Sequence, residues 1–584
     1  LKNIGKDNRR DFMKRRQFLT YAALTGSGSL WSLSNTKSLN FINKVYFSAN
    51  EGEADELQTD VVIIGGGFGG CAAALAACRN GLNVVMTEET DWIGGQVSQQ
   101  GVPPDEHPWI ETHGASASYR TFRNKVREYY RRNYPLTDEA RACEFLNPGD
   151  GLVSRLCHEP IVSEAVLTEM LLPYLSTGKL KLLLRYKARY AEMKGDSIRA
   201  VEVYCKETGH SMALSAPYFV DATECGDLLP LTQTEYVTGA EAKSETNELH
   251  AAAEAMPMNN QAFTVCFAMD YVPGANLTID KPADYAFWHD YIPSLKPAWS
   301  GRLIDLSYPD PITLKTRQTG FHPEGKELRV FNLWNYRRII SRKNFTPGLY
   351  SGDITIVNWP QNDYLLGNLL DVPEVEFEKH IAQAKQLNLS LFYWLQTEAP
   401  RPDGGMGWPG LRLRGDVLGT DDGMAKYPYI REARRIKALF TVTEEHVGKE
   451  NRKLATGETR AAEFYDSIGI GYYRIDLHPS FGGDNYIDID SLPFQIPLGA
   501  LIPQRVDNLL PACKNIGTTH ITNGCYRLHP VEWSVGEAVG MLLAYAKEKK
   551  VLPRTVRENR TLLSDFQQRI QAQGAEIGWK NSSV

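Results

Sequence analysis

Residues 60–70 read Asp60-Val61-Val62-Ile63-Ile64-Gly65-Gly66-Gly67-Phe68-Gly69-Gly70, and Glu88 follows at the end of a second apolar run. Val61 to Ile64 have the length and β-branched content of a short buried strand. Gly65, Gly67 and Gly70 supply a G-x-G-x-x-G spacing, with Gly69 in the same turn, and Cys71 to Cys78 read as a helix of small residues. Val84 to Thr87 form a second strand. Glu88 then lies about 20 residues past the glycines, where an acid grips a ribose hydroxyl. The first glycine permits a tight turn, the second lets a pyrophosphate approach the backbone, and the third lets helix and strand pack closely. The helix N-terminus offers free N–H groups and partial positive charge to the phosphates. Strand, glycine turn, helix, strand and acid together indicate a dinucleotide-binding unit.

The chain has 584 residues, enough for two or three domains with a large core. Its hydrophobic content of 42% and charged content of 23% are those of a globular enzyme. A net charge of -6 argues against general nucleic-acid binding. The nine cysteines show no C-x-x-C and no metal-ligand spacing, so neither a metal nor a disulfide is expected. Lys14-Arg15-Arg16-Gln17-Phe18-Leu19-Thr20 resembles a twin-arginine translocation signal. The modestly apolar run after it, Phe18 to Leu33, is too short and too broken by glycine and serine to span a membrane stably. That route carries folded proteins, which suits a chain loaded with its cofactor before export to the periplasm or beyond.

Three segments point to FAD rather than NAD. Trp92-Ile93-Gly94-Gly95-Gln96 turns the chain back beneath a pyrophosphate and flavin ring. Leu180 to Val220 alternates apolar runs and turn signals, a β-meander returning to a parallel strand, and ends in Asp221-Ala222-Thr223-Glu224-Cys225-Gly226-Asp227. Near the C-terminus a short strand at 506–512 precedes Lys514-Asn515-Ile516-Gly517, and Ser534 to Gly540 begins a helix with small residues, Gly536 among them, on one side. Such a helix stabilises the anionic reduced flavin by its N-terminal N–H groups and dipole. An NAD dehydrogenase needs no such third segment.

DVVIIGGGFGG, TDWIGGQ, Arg155 to Pro160, DATECGD, Tyr429 to Ile436 and the run from Pro493 to Gly540 together resemble a bacterial family of exported FAD-dependent oxidoreductases. The Asp221–Asp227 stretch is similar to the Ala-Thr-Gly turn of glutathione-reductase-type FAD domains, with Glu224 where glycine is usual. The resemblance implies an α/β fold: a Rossmann-type FAD domain, parallel sheet plus β-meander, with an inserted α+β substrate domain. The expected organisation begins with a signal and linker (1–57). The FAD domain is discontinuous, its N-terminal segment at 58–235 (helical insertion about 100–150) and its C-terminal segment at 465–546. A cap (236–464) lies between them, and a peripheral tail (547–584) with one helix follows. Helices are expected at Tyr119–Tyr134, 164–175, 374–397 and Ile430–Val447.

The FAD contacts expected are Gly65, Gly67, Gly69, Gly70, Glu88, Gly94, Gly95, Gln96, Ala222, Thr223, Asn515, Gly517 and Gly536, with non-covalent attachment. Arg527, His529 and His520 are the catalytic candidates: an arginine to hold a carboxylate or the flavin O2, a histidine to take a proton as hydride leaves. Arg431, Glu432, Arg434 and Arg435 read as a solvated or interdomain helix face. His107, Trp109, Glu111 and His113 are expected to edge the substrate pocket; His158-Glu159 to cap a helix or touch the adenosine; His478 is open. The expected reaction is hydride transfer from a C–H bond of a small amine or alcohol to flavin N5, with electrons passed to oxygen, a quinone or a carrier. The alternatives are a reductase of an activated double bond, or a flavin-loaded electron carrier or binding protein.

Overall fold

The computed structural model describes residues 56–579; the twin-arginine-like stretch and residues to 55 lie outside the described residues. At its centre is a five-stranded parallel sheet, ordered Leu509–Pro511, Tyr218–Asp221, Val61–Ile64, Val84–Glu88 and Leu180–Leu184. Alternate residues of the central strand face opposite ways, the period of two that a strand imposes. Val61 and Ile63 pack into the core that contains the helices, whereas Val62 and Ile64 pack with Val201, Val203 and Leu214 of an antiparallel meander. Burial on both faces explains why the strand is apolar throughout. This is a Rossmann-type arrangement, in a mixed α/β fold.

The meander is shorter than the sequence suggests. Leu180–Leu184 is the edge strand of the parallel sheet, and the meander proper is Tyr186–Lys194, Ser197–Cys205 and Ser211–Ser215, joined by Glu56–Gln58. Arg185, at φ 68°, makes the reversal that moves the chain from one sheet to the other. A non-glycine residue in that region marks a sharp turn.

The helix Phe68–Arg79 covers one sheet face and is crossed by the helix His529–Lys549. The crossing is close because a Cβ at Gly536 would overlap the Gly69 carbonyl, and one at Gly540 the Ala73 carbonyl. Gly536 is therefore a helix-packing residue here. The insertion helix Ala117–Asn133 buries Tyr119, Phe122, Val126 and Tyr130 on one face. Arg123 and Arg127 are buried too, fixed by Glu106 and Glu111.

A second, antiparallel sheet runs Arg338–Ile340, Ile354–Val357, Phe267–Tyr271, Leu411–Leu413. Ala268, Ile354 and Ile356 pack into the nucleotide-side core, whereas Phe267, Met269 and Val357 pack into another that includes Leu387, Leu391 and Leu395 of the helix Glu374–Thr397. The sheet thus joins the two cores.

Two expectations fail. No helix spans Ile430–Val447: Arg435–Ile436 pairs as a strand with Tyr236–Val237, and only Glu444–Val447 is helical. The charges in this stretch find partners in several directions, which a single helix face cannot supply. The tail is not peripheral and has two helices, Pro553–Glu558 and Arg560–Ala572; its Val556, Leu563, Phe566 and Ile570 belong to the main core. All nine cysteines are free, and among the described residues no helix is long and apolar enough to cross a membrane.

If Gly536 serves helix packing, its replacement acts on the apoprotein. Gly536→Val is expected to lower stability by about 1–3 kcal/mol or more, as overpacking does, read by urea unfolding with and without FAD. A loss seen only in the presence of FAD would return Gly536 to the cofactor.

Candidate flavin and substrate site

The first βα turn is shaped by contacts no larger residue permits. Gly65 has φ 97°, and a Cβ there would run into the Ala222 backbone. A Cβ at Gly69 would overlap the Ala512 carbonyl, and one at Gly70 the Gly65 carbonyl. Beside this turn is a narrow cleft lined by Gly65, Gly67, Glu88, Ala222, Thr223 and Lys187. Five sequence-predicted contacts, from three distant segments, therefore meet at one cleft. Glu88 Oε2 accepts from the Gly66 amide (3.0 Å) and Oε1 from the Thr90 amide (2.8 Å). Burial pushes its carboxyl up to about 7.

Gly94 and Gly95 dock their turn onto the glycine loop: the Gly94 amide donates to the Gly66 carbonyl at 2.7 Å, and a Cβ on Gly95 would crowd Glu224. Gln96 donates from Nε2 to the Arg527 carbonyl (3.1 Å) and to Glu532. Asn515 donates to the Asp221 carbonyl at 3.1 Å, tying two strand ends together. Gly517 packs against Ala438 and Phe440, apart from this cleft.

Four charged or polarisable side chains gather at the start of the glycine-loop helix. Glu224, Cys513 and Glu532 bring ligand-type atoms within 4.8 Å of one another. Lys514 bonds to Glu224 and lies 3.5 Å from Cys513 Sγ, so an ammonium already supplies the positive charge such a group would ask of a metal. Glu532 Oε1 accepts from the Gly69 amide at 3.0 Å, using a helix N-terminus as an anion site. Burial raises the carboxyl of Glu532; burial and the two carboxylates raise the thiol of Cys513.

Deeper in, several buried polar atoms make no hydrogen bond to the protein. They are Gln96 Oε1, both amide atoms of Gln100, Asp105 Oδ1, Arg337 Nε and Nη1, Arg527 Nε and His529 Nε2. Asp105 links several of them: its amide donates to His529 Nδ1 at 3.0 Å, and Arg337 makes a loose 3.5 Å ion contact with its carboxylate. Arg527 donates to the Tyr429 hydroxyl at 2.6 Å and to Asp476 at 3.2 Å. An unmade buried hydrogen bond costs about 1–3 kcal/mol, so a concentration of them marks where a non-protein group is received. A flavin ring, with carbonyl, imide N–H and ring-nitrogen edges, fits these donors and acceptors, as the glycine cradle fits its dinucleotide end.

Beyond Arg527 lies a chain of charges. Arg431 pairs with Asp363 Oδ1 at 3.0 Å, and Asp363 Oδ2 accepts from His478 Nδ1 at 2.6 Å. His478 Nε2 lies 4.0 Å from Asp476, the partner of Arg527. Burial would raise Asp363, but Arg431 and His478 outweigh it and hold its carboxyl below the usual value. Burial and Arg431 lower His478.

The predicted trio divides. Arg527 and His529 belong to this cluster. His520 does not: its Nδ1 contacts both oxygens of Glu432, at 2.9 and 3.0 Å, and the residue lines a different cavity with Glu241 and Glu248. The Arg431–Arg435 stretch is no solvated face. Arg431 and Arg435 are 1% and 0% exposed, and Arg434 pairs with Asp227 and Asp371. The 107–113 loop is a structural clamp, and its Glu111 lines a separate pocket with Arg120, Arg123 and Arg127. His107 contacts the Gly114 carbonyl (3.0 Å), Trp109 stacks on Tyr472, His113 contacts Thr112, and Glu111 bridges Arg123 and Arg127, which hold it down at about 2 against burial. His158 is spent on Leu156 and Ser163, and burial lowers it to about 4; Glu159 precedes the helix Pro160–Ser176 without a side-chain cap bond, its carboxylate taken by Tyr130. Sequence reading misses Asp105, Arg337, Asp363 and Asp476, whose spacing carries no signal.

No curated protein sequence matches this chain. Among solved structures, L-proline dehydrogenase from P. horikoshii is 19% identical over 34% of this chain and 28% of its own, with a TM-score of 0.17. Glycerol-3-phosphate dehydrogenase from Bacillus halodurans, complexed with FAD, is 13% identical over 36% and 40%, with a TM-score of 0.22. OxyS anhydrotetracycline hydroxylase from Streptomyces rimosus is 11% identical over 88% and 66%, with a TM-score of 0.30. The chain spans less than two thirds of the length of each, and none of these likenesses carries a substrate or mechanism across. The profile of one family, described as FAD dependent oxidoreductase, runs instead from Asp60 before the glycine loop to Ile570 in the packed tail, and this chain belongs to that family, an oxidoreductase with FAD as its cofactor.

Proposed function

We propose that this enzyme oxidises a small polar amine or alcohol, removing hydride from the C–H bond beside the nitrogen or oxygen. The dinucleotide portion is of the glutathione-reductase type, and residues 236–464 form the cap over it. The twin-arginine-like stretch supports export to the periplasm or beyond, with electrons passing to oxygen, a quinone or a soluble carrier. Bound FAD supplies the redox chemistry by accepting the hydride.

The observation that carries this reading is the different hydrogen-bonding state of three histidines. Nδ1 of His529 accepts an N–H from Asp105, and burial with Arg337, Lys514 and Arg527 keeps the ring neutral. Its proton is therefore on Nε2, the unpartnered atom, so His529 donates a hydrogen bond. His520 is opposed by burial, but Glu432 outweighs it and favours the charged ring. A ring already charged takes no further proton. His478 donates from Nδ1 to an ionised Asp363, which leaves Nε2 as the acceptor of a neutral imidazole. His478 is thus the proton acceptor for the substrate O–H or N–H, with Asp363 fixing its tautomer and Arg431 keeping Asp363 ionised. Arg337 and Arg527 orient the polar end of the substrate or the flavin edge.

His478→Asn is expected to slow anaerobic flavin bleaching by about 10²–10⁴-fold, the span of general base catalysis, with FAD affinity unchanged. In the parent enzyme the rate stays flat above the ordinary histidine pKa of about 6.5 and falls at lower pH, because the folded-state value is depressed. Bleaching unaffected by the substitution would remove His478 from the reaction. Bleaching by no amine, alcohol, sugar or hydroxy acid, with reoxidation of reduced enzyme by an enoate, would replace oxidation by double-bond reduction. Separately, Glu88→Ala is expected to weaken FAD binding about 10–100-fold through lost charge-assisted hydrogen bonds, read by quenching of flavin fluorescence.

A further inference from the structure

We infer that the cavity between the Ala240–Ala252 segment and the helix His520–Tyr526 binds a small organic ammonium ion, at a site separate from the flavin-side cluster. The cavity is small, about 80 Å³, and its polar wall is Glu241, Glu248, His250, Asp484 and His520. Each cation of the wall and its support already has its own carboxylate. Arg435 pairs with Glu241 at 2.8 Å, His520 with Glu432 at 2.9 Å, and His250 with Glu444 at 2.7 Å. Glu248 and Asp484 are left without a cation, Asp484 accepting instead from the Asn259 amide at 2.5 Å. Lys243, the next ammonium group, is bonded to the Leu249 carbonyl at 3.2 Å.

Glu248 is the independent sign of a ligand. It is 1% exposed, and one oxygen accepts from the Thr519 hydroxyl (2.6 Å) and the Glu444 amide (2.7 Å). Its other oxygen, Oε2, makes no well-formed hydrogen bond, with the Thr246 hydroxyl the polar group near the carboxyl. Burial pushes this carboxyl up to about 7. A buried carboxylate with an idle oxygen is stabilised by any cation that reaches it.

The geometry selects the kind of cation. Among the described residues the one group of three close-set metal-type ligands is Glu224, Cys513 and Glu532, so this cavity offers no such three-ligand cluster. Ile487 and Ile521 add apolar wall, which a bare ion does not use and an alkyl chain does. An ammonium group at Glu248 with a short hydrocarbon stem against the isoleucines satisfies both surfaces.

The test is calorimetric titration of the FAD-loaded enzyme with n-butylammonium chloride, and in parallel with n-butanol. Saturable binding of the amine, no binding of the alcohol, and a Kd raised at least about tenfold in Glu248→Gln are expected. Ala252→Leu, which fills the cavity without touching charge, is expected to remove binding as well and stands in if the first variant misfolds. Equal binding of alcohol and amine, or saturable amine binding that survives both substitutions, would overturn the assignment. Bleaching of the flavin by either probe reports on the proposed reaction, whereas loss of saturable amine binding in Glu248→Gln and Ala252→Leu reports on this site, so the two failures are told apart.

Discussion

The flavin end of this molecule depends on how closely two helices, far apart in the chain, can approach one another. The glycine-loop helix Phe68–Arg79 and the helix His529–Lys549 meet backbone to side, with no Cβ at Gly536 or Gly540 to hold them apart. That approach carries Glu532 to the Gly69 amide, a hydrogen bond spanning 463 residues, and carries His529 against Phe68 with ring centroids 6.1 Å apart. A larger residue at the crossing would move the whole first turn of the second helix, and with it Gln96, Arg527 and Asp105, which bond to that turn or its neighbours. One steric allowance thus fixes both the dinucleotide cradle and the polar group beside it.

The second constraint is electrostatic. Arg431, Arg435, Asp363 and Glu432 are buried together, an arrangement whose desolvation is repaid only if every member is paired. They are paired: Arg431 with Asp363, and Arg435 with Glu432 and Glu241. Such a network fixes geometry more than it stabilises. Arg431 adds donors to the Ala262 carbonyl and the Thr264 hydroxyl, so the Asp363–His478 pair is locked to the second sheet's neighbourhood. The backbone from 430 to 436 is irregular for the same reason, since side chains leaving a helix at 100° intervals reach fewer directions than these partners occupy.

How much of this is legible in the sequence follows from distance along the chain. The strand, turn, helix and acid at Val61 to Glu88 form a local unit, and their roles can be read residue by residue. Gly94, Gly95, Ala222 and Thr223 stand out because their turns carry their own chemistry, and the long helix at 374–397 because its apolar spacing is regular. Gly517 and Gly536, expected as cofactor contacts, lie close against protein atoms instead: a glycine announces close approach without saying to what. The charge run at 431–435 reads wrongly as a solvated face because burial of arginine depends on partners at 227, 241, 363 and 371, which no window contains. Arg337 and Asp105 leave no trace at all, since what singles them out is the hydrogen bonds their side chains leave unmade in the folded protein.

Histidine shows the limit most sharply. The sequence places His520 and His529 together as interchangeable proton acceptors and leaves His478 without a role. Residue type and nearness in the chain cannot separate them, because the capacity of an imidazole is set by what binds its other nitrogen. A backbone N–H at Nδ1 turns His529 into a donor at Nε2; a carboxylate at Nδ1 turns His478 into an acceptor there; a carboxylate that also favours the charged ring removes His520 from proton uptake. The three partners, Asp105, Asp363 and Glu432, come from three segments that meet only after folding. The acid and base roles proposed for this enzyme therefore rest on its tertiary contacts, and the buried ion pairs that look like dead weight in a stability account are what bias each histidine differently.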